Sequence, residues 1–261
     1  MWVYPGWWRN TPLGNIIEIP SLHPEYLLMS YPIPPYRVAP TISEHSLNSA
    51  RHLLPDDCCV RLSIDDPHVR VIDHFLTDVE CDTLIEKYNT GLKRMGFLLD
   101  HEGNEVIDER RTAYGKALKR SSCPIMKRFE ERLEAITLWP RFKTERSSFV
   151  RYDYDEGIRG HHDFFGEGKN RSRALDNGGQ RVGTMVMYLN DTHGDGGTCF
   201  DHLGICVYPK KGSLLFFNYP LATADNKAHH LSTPVVTHTK YVVIKWFREH
   251  LIDDTKLPPL T

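Results

Sequence analysis

The hydrophobic period of this chain changes near residue 145, and that change limits the folds open to it. Before it, apolar residues recur at helical spacing: Leu84, Ile85, Tyr88 and Leu92 in one run, Ile125, Phe129, Leu133 and Ile136 in another. A strand-like run from Val69 leads into the first. Thr77-Asp78-Val79-Glu80 then reads as a capping box, with Thr77 placed to accept from a backbone N–H and Glu80 to reach back. The second run opens at Ser122-Cys123-Pro124, with proline in the first turn, where a missing N–H is harmless. After residue 145 the runs 149–154, 181–189, 205–208, 213–217 and 241–247 are β-branched or aromatic, split by Gly, Asp, Asn and Pro. Helices followed by short strands predict an α+β chain, mainly β: a barrel or sandwich braced by helices on one side.

Three zones follow. Residues 1–60 form a Pro/aromatic-rich N-terminal extension, in which Pro32, Pro34, Pro35 and Pro40 rule out long helices and central strands. Its tryptophans and tyrosines suit an arm packed across a domain or a segment that docks a partner. Residues 67–250 form the domain, and 251–261 a C-terminal tail. Within the domain, 166–179 is polar and Gly-containing, the composition of a mobile cover.

Composition excludes several functions. The formal net charge of −2 gives no field to attract nucleic acid. No apolar run reaches the roughly 18 residues of a membrane span. The opening Met-Trp-Val-Tyr-Pro-Gly-Trp-Trp lacks the basic start and apolar core of a secretory signal, so a cytoplasmic setting is expected. Six cysteines without Cys-x-x-Cys spacing argue against a zinc knuckle and are expected as reduced thiols. No Gly-x-Ser-x-Gly is present, and Gly194-Asp195-Gly196-Gly197 lacks the Lys-Ser/Thr of a P-loop.

The chemistry concentrates in Arg159-Gly160-His161-His162-Asp163. On an extended strand His161 and Asp163 share a face and can grip one metal ion, while His162 points away. A solvated His–Asp pair is the plainer reading of that tripeptide alone. Two imidazoles and a carboxylate on one face of a metal are the facial triad of non-haem Fe(II) oxygenases, with open positions for co-substrate and O2. A further histidine is then required, and His229 and His230 compete for the place.

Five segments agree with this in order and spacing. They are the stretch 151–165, Gly178-Gly179-Gln180-Arg181 with its following strand, Gly196-Gly197-Thr198-Cys199-Phe200, Pro209-Lys210-Lys211-Gly212-Ser213, and His230 through Pro234 to Lys240 and Lys245-Trp246. Together they resemble the catalytic domain of prolyl 4-hydroxylases, within the Fe(II)/2-oxoglutarate dioxygenases. The resemblance implies a double-stranded β-helix (jelly-roll) core. It makes His161, Asp163 and His230 the iron ligands, since only His230 lies four residues before Pro234 and ten before Lys240. Lys240 would bind the distal carboxylate of 2-oxoglutarate, and Tyr152 and Thr198 would set hydroxyls against it. A buried carboxylate demands such a cation.

The implied cofactors are Fe(II), 2-oxoglutarate and O2, with ascorbate. The implied reaction hydroxylates a peptidyl residue, proline for this family, while 2-oxoglutarate becomes succinate. The implied partner is a proline-containing peptide or protein, with no nucleic acid. Alternatives are a dioxygenase of a small molecule or another side chain, and a silent binding barrel. Two positions depart from the family: Gly160, where proline is usual before the first ligand, and Gly197, where an acidic residue is usual before the threonine. Arg181 suits either a carboxylate pair near the barrel or a strand-end surface position.

Overall fold

The computed structural model describes residues 36–257 other than 96, 100–104, 108–111 and 167–174. Most of the N-terminal extension and the centre of the 166–179 segment lie outside these described residues. In chain order the elements are α1 (Glu44–Ser49), β1 (Cys59–Ile64), β2 (Val69–Asp73), α2 (Asp78–Tyr88), β3 (Lys93–Arg94), β4 (Phe97–Leu99), β5 (Glu105–Ile107), β6 (Tyr114–Ala117), α3 (Pro124–Thr137), β7 (Ser148–Tyr152), β8 (Ile158–His161), β9 (Arg181–Tyr188), β10 (Thr198–Phe200), β11 (Ile205–Val207), β12 (Leu214–Asn218), β13 (His230–Ser232) and β14 (Lys240–Arg248). Eight strands form one antiparallel sheet in the order β1-β2-β12-β9-β14-β7-β6-β3, and four form another, β11-β10-β13-β8. The hairpin β4–β5 stands apart. This is the expected jelly-roll.

The helices start where local chemistry predicts. Thr77 Oγ1 accepts from the Glu80 N–H at 3.2 Å, and Glu80 accepts from the Thr77 N–H at 3.0 Å. Cys123 caps α3 with Pro124 in its first turn. The buried stripe of α3 is Met126, Phe129, Leu133 and Ile136, with Ile125 only packed at its margin. Leu92 falls beyond α2, which ends at Tyr88, and packs against the core from the following loop.

Strand alternation divides the interior into two layers. On β12, Leu214 and Phe216 face the helices, while Leu215 and Phe217 face the small sheet. Along β14, Val243 and Phe247 face the helices and Val242, Ile244 and Trp246 the other side. Each fully buried aliphatic or aromatic side chain contributes about 1.5–3 kcal/mol. Lys245 points to the helix side and pairs with Glu130 of α3 at 3.2 Å, both almost fully buried. Burial pushes its amine down to about 8, against the pull of Glu130. Within the stretch 36–60, Ile42, Ala50, Leu54 and Cys58 join the helix-side core.

The cysteines depart from expectation. Cys199 and Cys206 stand directly opposite on β10 and β11 and form a disulfide, while Cys58, Cys59, Cys81 and Cys123 are free. Their separation in the sequence gave no sign of this, because only the hairpin register brings the two side chains together. Among the described residues, no helix is long and apolar enough to cross a membrane.

Candidate active site

The site lies between the two sheets, where β8 and β13 pair with His161 opposite His230. Their ring centroids are 4.4 Å apart. Asp163 completes the group: its Oδ1 lies 3.5 Å from His161 Nε2 and its Oδ2 3.7 Å from His230 Nε2. Asp163 sits two residues past the end of β8, in a bend, so the chain's turn and not strand alternation aims its carboxylate.

Hydrogen bonds at the far nitrogens define what the near ones can do. His161 Nδ1 donates to the Arg159 carbonyl at 2.9 Å, and His230 Nδ1 donates to the Ala228 carbonyl at 3.0 Å. A carbonyl only accepts, so Nδ1 carries the proton and each Nε2 offers a lone pair toward Asp163. Burial pushes the His230 imidazole down to about 4, with Asp163 opposing, so it is neutral at neutral pH. Burial works against ionisation of Asp163, yet its carboxyl is held well below the usual range, with the Arg181 guanidinium among the groups that favour the anion. Two lone pairs thus face an anion, an arrangement that a divalent cation satisfies and that fits Fe(II).

Several further residues hold this group in place. Thr184 Oγ1 donates to Asp163 Oδ2 at 2.6 Å, and Tyr219 donates in turn to Thr184 at 2.8 Å. Arg181 forks onto Glu145 at 2.7 and 2.8 Å and reaches the Asp163 carbonyl at 3.3 Å. It is therefore the carboxylate-pairing arginine of the two readings. Phe217 packs edge-on to His230, with centroids 4.8 Å apart.

The same cavity is lined further in by Tyr152, Thr198, Ser232, Lys240 and Trp246. Lys240 opens β14 opposite Tyr152 of β7, and its Nζ lies 4.8 Å from the centroid of that ring. Lys240 Nζ donates to the Gly196 carbonyl at 2.6 Å and to Ser232 Oγ at 2.9 Å. The hydroxyl bonded to the lysine is that of Ser232, while Thr198 Oγ1 accepts from Tyr188 at 2.8 Å. Ser232 was legible in principle, two residues after His230 on the same strand. Among the described residues Lys240 has no carboxylate within ion-pair reach, and burial pushes its amine down to about 7. Trp246 Nε1 is buried and has no hydrogen-bond partner among the described residues. A buried cation and an orphaned donor in one cavity fit an anionic, oxygen-rich guest such as 2-oxoglutarate.

His162 and His229 do not join this group. His162 Nε2 donates to the Ala224 carbonyl at 3.3 Å, and His229 Nδ1 pairs with Asp201 at 2.9 Å. His193 and His238 meet edge-on elsewhere, and His202 is exposed. The two family departures have a packing reason. A Cβ on Gly160 would come 2.6 Å from His229 Cε1, and one on Gly197 would come 2.6 Å from Cys206 Sγ. Each glycine makes room for a neighbour crossing its face.

The 2OG-Fe(II) oxygenase superfamily matches residues 147–248, the stretch that carries His161, Asp163, His230 and Lys240. "Prolyl 4-hydroxylase 2" of Arabidopsis thaliana is 30% identical over 210 residues, covering 72% of this chain and 69% of its own. Among solved structures, the viral collagen prolyl hydroxylase of Paramecium Bursaria Chlorella virus-1, in its 2OG complex, superposes with a TM-score of 0.55 at 22% identity. It covers 70% of this chain and 97% of its own. A Trichoplax adhaerens prolyl hydroxylase, in complex with a hypoxia inducible factor oxygen degradation domain peptide fragment, gives 0.53 at 15%, covering 78% and 89%. The chain belongs to the 2OG-Fe(II) oxygenase superfamily. Within it, this is a prolyl 4-hydroxylase-like enzyme, a 2-oxoglutarate-dependent dioxygenase using Fe(II) and O2.

Proposed function

We propose that this enzyme hydroxylates a proline in a peptide or protein, with His161, Asp163 and His230 holding Fe(II) and Lys240 holding the distal carboxylate of 2-oxoglutarate. The observation that carries the reading is a single cavity with three converging metal donors at one end and a buried lysine at the other, which among the described residues makes no ion pair. Bound Fe(II), 2-oxoglutarate and O2 supply the oxidising power for C–H hydroxylation, with succinate and CO2 released. The chain supplies position and charge. Thr184 and Tyr219 orient Asp163, the two backbone carbonyls fix the histidine tautomers, and Ser232 holds the Lys240 ammonium toward the cavity. Tyr152 and Thr198 line the wall against which the co-substrate would lie.

An extended substrate is supported by the surface beside the site. A solvent-open groove lined by Thr112, Gly157, Arg159, Gly160, Leu231 and Pro234 runs along β8, the edge strand that ends in His161. Peptide complexes exist for a protein of the same fold, the Trichoplax prolyl hydroxylase. The test is succinate release with Fe(II), 2-oxoglutarate and ascorbate against a panel of proline-containing peptides, with mass spectrometry of the products. A gain of 16 mass units on proline (one oxygen atom), lost in His230→Ala, is the expected result. Succinate stimulated only by a free small molecule, and by no peptide, would overturn the peptidyl assignment and leave the dioxygenase chemistry standing.

A further inference from the structure

A second set of metal-ligating side chains lies on the outside of the small sheet. Asp201 and His202 occupy the turn after β10, and His229 immediately precedes β13. One ligand atom from each falls within 4.8 Å of the other two. His229 Nδ1 lies 3.0 and 2.9 Å from the two oxygens of Asp201, and the His202 and His229 ring centroids are 6.1 Å apart. His162 closes the other side of His229, with ring centroids 4.8 Å apart. None of these four residues lines the cavity of the iron site.

We propose that Asp201, His202 and His229 form a second divalent-cation site, suited to a borderline ion such as Zn(II). Two imidazole nitrogens and one carboxylate oxygen are the donor set such ions take, with water free to fill a fourth position. The Asp201–His229 contact is a bond with one proton between two ligand atoms. A cation replacing that proton, at about 2.0–2.2 Å from each, needs only a small opening of the pair. His202 is exposed and free to turn its ring inward. Asp225 adds a second negative charge within electrostatic reach of His162 and His202. Gly160 keeps the place open, since any larger residue would drive a Cβ into the His229 ring.

The position gives the ion a mechanical role. It would tie the turn after β10 to the start of β13, bracing the strand whose next residue is His230. Phe200, the residue before Asp201, packs against His230 at 5.8 Å between ring centroids. Occupancy of the outer site would therefore stiffen one wall of the inner one.

The test counts Zn(II) per full chain by atomic emission after metal stripping and equilibrium dialysis. The wild type should hold two ions, and His202→Ala and Asp201→Asn should each hold one. A His161→Ala/His230→Ala chain should keep one ion and gain thermal stability from Zn(II). Adding His202→Ala to it should abolish both effects. The proposal is overturned if His202→Ala and Asp201→Asn bind as many ions as the wild type. It is equally overturned if a folded His161→Ala/His230→Ala chain binds none. The single variants alter exposed side chains, so they carry the test even if the double variant does not fold.

Discussion

Asp163 is a buried carboxylate whose orientation depends on one hydroxyl. Replacing Thr184 by valine keeps the shape and removes the 2.6 Å bond to Asp163 Oδ2. Loss of such a partner weakens metal binding about 10–100-fold, and the unsatisfied group costs ~1–3 kcal/mol. Titration with Fe(II) or Co(II) alongside a thermal melt checks both; unchanged affinity would make Thr184 a bystander. Lys240 gives a prediction in pH. Burial lowers its amine to about 7 in the chain alone, so above neutrality it is largely uncharged. A bound carboxylate favours the ammonium, so 2-oxoglutarate binding should take up a proton above pH 7 and weaken as pH rises further. Calorimetry in buffers of different ionisation heat measures that proton. In Lys240→Ala the uptake should vanish and the 2-oxoglutarate requirement rise sharply, with iron still bound.

Among the elements, Glu145 is the tie between strands. It precedes β7 and receives Arg181 of β9 at 2.7 Å and Arg248 of β14 at 3.0 Å. Burial acts to raise its carboxyl, and the two guanidiniums outweigh it, so the net shift is downward from 4.5. A lowered folded-state value stabilises the chain above the unfolded value and ceases to do so as pH falls through the folded one. The denaturant midpoint should therefore fall as pH drops below about 4.5, where Glu145 contributes together with Asp73 and Glu80, also shifted down. Glu145→Gln should lower stability at pH 7, by at most ~3–5 kcal/mol, the cost of breaking a fully buried pair, and flatten the acid dependence of the midpoint. A Glu145→Gln profile parallel to the wild type would show that the pair carries no such linkage. The longer elements were legible because their signals are local: Thr77 and Glu80 name the start of α2, and Pro124 that of α3. The strands β8, β10 and β13, three or four residues each, have too few residues for a period to register.

For the molecule as a whole, the large sheet divides two interiors with different tasks. Phe216 and Phe217 are adjacent and both fully buried, yet Phe216 belongs to the helix-side core and Phe217 to the layer that touches His230. Phe216→Leu and Phe217→Leu should cost similar stability, on the order of 1 kcal/mol each. Only Phe217→Leu should also weaken metal binding, because it alone unpacks a ligand ring. Equal metal affinity in the two variants would show that the site is insensitive to the layer behind it.

The sequence alone determined the helix-then-strand order, the capping residues, and the candidates His161, Asp163, His230 and Lys240, whose spacing within short segments resembles a known family. Such signals need only neighbours in the chain. Tertiary structure decided the contacts that depend on strand register: Thr184 and Tyr219 behind Asp163, Glu145 beneath Arg181 and Arg248, Ser232 at the lysine, and the Cys199–Cys206 bond. Strand register makes those contacts, and register is set by the packing of both faces of a sheet at once. No local pattern carries that information, so a threonine on β9 looks like any strand threonine until a carboxylate 21 residues earlier folds back against it.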